Sequence, residues 1–143
     1  SIGDYARPLK RPGMDPAERL RVLYAFHHGA PVLPEGLVAV AALGEALRDL
    51  GCASFAYETP VSVQTGERVL GPDFRSTVAD NFAAMGKAFG GEVIKTGTMF
   101  GEDAFIDPTD GSEHLNDRGR TQLAAILLEQ ISKRLDQSGS QAS

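Results

Sequence analysis

A polar loop runs directly into the strongest amphipathic helix of the chain at residues 105–135, and this junction constrains the fold more than any other stretch. Leu123, Ile126, Leu127, Ile131 and Leu135 recur at helical spacing, while Arg120, Gln122, Glu129 and Lys133 fall on other faces. Asn116 stands where an N-cap is needed, since its side-chain oxygen can accept from a free N–H of the first turn. Burying the apolar stripe fixes the helix and, with it, the loop in which His114 lies two residues before the cap. Imidazole titrates near neutrality, so a histidine held in place suits proton transfer. Asp107 and Asp110 both lie near enough in sequence to hold the second ring nitrogen. The plainer reading is that Asp, Gly and Ser before a helix are turn and capping residues, and that a loop histidine is solvated.

The rest of the composition narrows the classes. A chain of 143 residues accommodates one domain with a real core. Its net charge of −5 argues against non-specific nucleic-acid binding, which needs a basic surface. No run of about 18 apolar residues is present, so no membrane span is expected. The lone Cys52 excludes an internal disulfide framework, and its place in a helix–strand junction fits a small buried residue. The chain carries no secretory signal and opens on Ser1 rather than Met, which implies a processed product with something missing upstream. His27 and His28 are neighbours on a helix and point about 100° apart, which does not suit shared metal ligation. A metal site of His114, Asp107 and Asp110 lacks a second histidine. No metal and no other cofactor is therefore expected.

Taken in order, residues 1–14 are rich in Pro, Gly and basic side chains and read as an extended arm or linker. The α/β domain is placed at 15–136, and 137–143 reads as a disordered tail. Asp15, Pro16 and Glu18 form a helix start of the capping-box kind, with Leu20, Leu23, Tyr24 and His27 on one face and an end near Gly29. A second helix over 35–50 turns Leu37, Val40, Leu43 or Leu47, and Leu50 inward. Phe55 and Tyr57 then belong to a short buried strand stopped by Pro60. Residues 61–70 read as a polar loop with a turn at Thr65-Gly66. A third helix starts at Pro72 and carries Phe74, Val78, Phe82, Met85 and Phe89, and the β-branched run Val93, Ile94, Thr96, Thr98 follows as a second strand. Strands separated by helices imply βαβ crossovers and a parallel sheet covered on both faces. Two strands are too few to enclose such a core, which usually takes about four. The chain therefore reads as the second half of a larger α/β domain, or as one that completes its sheet with another chain.

In open parallel sheets functional residues gather at the C-terminal strand ends, here Glu58-Thr59-Pro60 and the loop 98–114. Asp110, His114-Leu115-Asn116, Gly119 and Leu123-Ala124, leading into a terminal helix, resemble the last block of the SGNH/GDSL hydrolases. Ala56 to Val61 also resembles the strand-and-proline segment of family members acting on cell-envelope polymers, relatives of the D-alanyl transfer proteins among them. The similarity covers roughly residues 35–135. It implies a three-layer α/β/α, flavodoxin-like parallel-sheet domain, of which this chain is the C-terminal half. It also implies a serine esterase or O-acyltransferase in which His114 is the base and Asp110 its orienter. The Asp-to-His spacing is one residue longer than the family's, which leaves Asp107 as the other partner. The Gly-Asp-Ser nucleophile block and the Gly-x-Asn-Asp oxyanion segment do not occur: Gly3-Asp4 is followed by Tyr5, and Ser54, Ser62 and Ser76 lack motif context. The chain alone is thus expected to be inactive, its serine lying elsewhere. Implied partners are an ester-bearing small molecule or acylated polysaccharide, and an upstream segment or second chain completing the sheet. The implied location is extracytoplasmic or periplasmic. The competing expectation is a non-catalytic binding module of the same half-fold.

Overall fold

The computed structural model describes residues 13–106 and 114–141. Five helices dominate it: α1 (Pro16–His28), α2 (Pro34–Asp49), α3 (Val63–Leu70), α4 (Phe74–Phe89) and α5 (Asp117–Gln141). Two three-residue strands, β1 (Phe55–Tyr57) and β2 (Glu92–Ile94), and one 3-10 turn, Glu102–Ala104, complete the order. The strands pair in parallel, Phe55 opposite Glu92 and Tyr57 opposite Ile94, with α3 and α4 in the crossover between them.

This corrects the expected three-layer α/β/α, flavodoxin-like sheet domain. The chain is mostly helical, and its only sheet among the described residues is this two-stranded ribbon. Pro60 follows β1 closely, and the backbone leaves β2 for the turn at Gly97-Thr98. The segment read as a polar loop supplies a further helix, α3, which packs on α1 and α4. The helices therefore pack chiefly on one another rather than on a sheet. At the other end of the chain α5 runs on to Gln141, past Gln137, where the sequence places the start of a disordered tail.

The main core joins Leu20 and Tyr24 of α1, Val61, and Phe74 and Val78 of α4, with Val69, Leu70 and Phe82 packed around them. Tyr24 is fully buried, its ring 5.7 Å from that of Phe74. Side chains of this size contribute about 1.5–3 kcal/mol each when buried. A smaller cluster, Phe100, Ala104 and Phe105, is covered by Leu115 and by Leu123 and Ile126 of α5. Phe105 and Leu115 of this cluster stand on either side of residues 107–113. Leu135, expected in the inward stripe of α5, is 49% exposed.

Candidate functional site

The chain on either side of residues 107–113 is held by backbone pairing and one side chain. Phe105 and Leu115 form an isolated antiparallel bridge, and the Ile106 N–H donates to the His114 carbonyl at 2.8 Å. Residues 105–106 and 114–115 are thereby paired, and the side of His114 faces solvent. Asn116 acts as the expected N-cap, its Oδ1 accepting from the Gly119 N–H at 2.9 Å. It also does what the sequence did not disclose. Its Nδ2 donates to the carbonyls of Asp103 at 2.8 Å and Phe105 at 3.3 Å, and its N–H donates to the Ala104 carbonyl at 2.9 Å. One residue thus ties the start of α5 to the 3-10 turn. Gly119 lets the two approach: a Cβ there would lie 2.3 Å from the Ala104 oxygen. Arg118 pairs with Asp103 at 2.8 Å, and Arg120 donates to the Leu115 carbonyl at 2.9 Å, closing the same corner from outside.

Both candidate partners of the histidine, Asp110 and Asp107, lie outside the described residues. The strand-end carboxylate Glu58 is half-buried, and its Oε2 accepts from the Gly97 N–H at 3.1 Å. Thr96 Oγ1 donates to the Glu58 carbonyl, and the Val61 N–H to the Gly97 carbonyl at 2.8 Å. The two strand ends are laced together, with Glu58 at the seam.

A second polar cluster went unread in the sequence. Ser62 lies between β1 and α3, a strand-to-helix turn of the kind that can present a nucleophile, yet it is buried. Its hydroxyl shares a 2.7 Å hydrogen bond with Thr65, and Thr65 Oγ1 donates to Glu102 Oε1 at 2.7 Å. Arg68 pairs with the same carboxylate, and Gln64 Oε1 accepts from the Glu102 N–H at 2.9 Å. The Thr65 hydroxyl above all holds the Glu102 carboxyl below its ordinary value; burial opposes it, and Arg68 adds smaller contributions in the lowering direction. The arrangement latches α3 to the 3-10 turn that leads towards His114. The signal for it, Ser and Thr three residues apart, is present in the sequence; its acidic partner lies 37 residues further on.

Other expectations are altered by position. Cys52 is exposed rather than buried, and Tyr57, read as part of a buried strand, is 48% exposed. The His27 ring packs on Phe26, and that of His28 on Tyr24 and Phe74. Among the described residues no three His, Cys, Asp or Glu side chains cluster, and no helix is long and apolar enough to cross a membrane.

An apolar groove of about 420 Å³ opens between α2, β1 and α4. Leu43 and Leu47 line it from α2, Met85 and Phe89 from α4, and Ala56 and Tyr57 of β1 with Val93 of β2 from the ribbon. Two straps fix its width. At one end Asn81 of α4 accepts from the Val32 N–H at 3.1 Å and donates to the Ala30 carbonyl at 2.9 Å. At the other, Arg48 of α2 donates to the Phe89 carbonyl at 2.8 Å.

Comparison of the chain with family models, with curated proteins and with solved structures finds no match.

Proposed function

We propose that this chain supplies the proton-transfer half of an ester-hydrolysing or acyl-transferring serine site, with His114 as base and Asp110 as its orienter. The observation that supports it most is the rigid seat of His114, clasped through its own carbonyl by Ile106 and, two residues on, by Asn116. A base contributes only if it is held where the proton must go. The serine comes from outside this chain: Ser62 is buried against Thr65, and no other serine stands in a motif that nominates it. In the complete site the serine oxygen attacks the ester carbonyl and its proton passes to His114. The imidazolium then returns that proton to the departing alcohol oxygen, and water or a sugar hydroxyl releases the acyl group by the reverse sequence. Asp110 fixes the tautomer and supports the transient positive charge.

The test is hydrolysis of p-nitrophenyl acetate by the chain alone, against free imidazole at equal concentration. The expected rate does not exceed that of imidazole. A much faster rate abolished by a serine-directed reagent overturns the assignment of the serine to another chain. The pair itself is examined in the complete protein: Asp110→Asn should lower turnover by orders of magnitude with the fold intact, and an unchanged rate removes Asp110 from the site.

The outer edge of β1, which no other strand covers among the described residues, favours a second reading, a non-catalytic module that pairs with a partner chain.

A further inference from the structure

We propose that the α2–β1–α4 groove is the docking site for one extended strand of another polypeptide, apolar at alternate positions and carrying a lysine or arginine beside Glu58. The inference rests on the pairing reading and not on His114. Its first support is the backbone. In a parallel pair, alternate residues turn both N–H and C=O towards the neighbouring strand. The Glu58 N–H donates to the Ile94 carbonyl at 3.1 Å, so Ala56 also faces β2 while Phe55 and Tyr57 face away from it. β2 is the only strand beside β1 among the described residues, and the outward amides and carbonyls of Phe55 and Tyr57 meet no partner there. Unpaired edges of this kind are what added strands bind.

The second support is helix α2, whose apolar stripe is wider than the ribbon beneath it. Leu47 is half-buried, whereas Leu43 and Leu50 on the same face are 57% and 73% exposed. A strand about 4.8 Å outside β1 runs beneath that uncovered part. Asn81 ties the Ala30–Val32 segment ahead of α2 to α4, and Arg48 ties the end of α2 to it, so the two walls are joined before anything occupies the site. Charge supplies the third support. Glu58 is the only ionisable carboxylate lining the groove, one oxygen of it is committed to Gly97, and the chain as a whole is at −5.

Two other occupants fit less well. A second copy pairing β1 with β1 about a two-fold axis would bring a second α2 over one shared strand pair. Strands lie about 4.8 Å apart, whereas packed helix axes need about 8–10 Å. Residues 1–12 contain Pro8 and Pro12, which lack a donor, and their Ile2 and Tyr5 fall on opposite faces of a strand.

The probe is an eight-residue peptide of alternating valine and threonine with a lysine at each end, added to the full chain. Its control is the same peptide N-methylated at alternate residues, which keeps the side chains and removes the donors. Binding of the first peptide is expected to slow amide hydrogen exchange at Phe55 and Tyr57 by roughly tenfold or more, with helix amides elsewhere unchanged. The control should not bind. Glu58→Gln, whose amide oxygen still accepts from Gly97, should weaken binding by about two- to fivefold, as for a partly exposed ion pair. Equal binding of the two peptides overturns the proposal in favour of a groove for apolar ligands, and binding of neither overturns it outright. A dimer in sedimentation with both amides already slow would keep the pairing reading and eliminate the lone strand.

Discussion

The core between α1, α3 and α4 and the groove between α2, β1 and α4 are made of the same kinds of side chain at the same helical spacings. In the first, Tyr24 and Val78 are sealed. In the second, Leu43 and Tyr57 remain about half open. Helix α4 contributes to both: Val78 belongs to the closed side and Met85 and Phe89 line the open one, with Phe82 touching each. The closed side has α3 packed against it, a helix formed by the segment immediately after β1. Nothing in the described chain plays that part on the other side. Apolar periodicity therefore reports which face seeks cover, whereas burial depends on whether the covering element is present.

Substitutions on the two sides should behave differently. Phe74→Ala removes a ring packed on Tyr24 and His28 and should lower unfolding free energy by about 3–5 kcal/mol, read from urea midpoints. A loss below about 1 kcal/mol would mean that the closed core is not what holds the fold.

A smaller effect is expected at the latch on the closed side. The Glu102 carboxyl is held below its ordinary value by Thr65 and Arg68, so its ionised form favours the folded state. That contribution is fully present above the unfolded-state value of about 4.3 and is lost as pH falls through the lower folded value. The melting temperatures of the parent and Glu102→Gln should therefore differ by a constant amount between pH 6 and 8 and converge on acidification below pH 4. Because the pair with Arg68 is partly solvated, the difference should correspond to less than about 1 kcal/mol. A gap that widens as pH falls would contradict the latch.

The smallest effect belongs to the groove. Leu43→Ala in the chain alone should change stability by no more than about 0.5 kcal/mol, since the side chain is already largely solvated. A cost near 2 kcal/mol by the same urea measurement would show the groove filled in solution and erase the contrast.

Local signals in the sequence carried much of this. The four longer helices begin within two residues of where apolar spacing, Pro16, Pro72 and Asn116 placed them, because each start is a matter of a few adjacent residues. Helix α3 escaped because Thr65-Gly66 has the look of a turn. The glycine is there instead for packing: a Cβ would lie 2.0 Å from the Phe74 ring. That requirement arises only once α4 is in place, so no window around Gly66 discloses it. The same holds at the candidate site. The capping role of Asn116 is legible from its neighbours, but its bonds to Asp103 and Phe105 depend on how the 3-10 turn docks. The sheet expectation failed for a complementary reason: β-branched runs identify strands, while the number of neighbours a strand acquires is a property of the assembled chain.

Pro60, buried three residues beyond the end of β1, has a consequence for self-association. It has no amide hydrogen to offer, and it follows a strand that turns only Phe55 and Tyr57 outward. Fibrillar stacking draws on flat segments of about six or seven residues that repeat their pairing from chain to chain. An edge cut to half that length can hold a strand braced by the walls of the groove, but it is too short to propagate a ladder of copies.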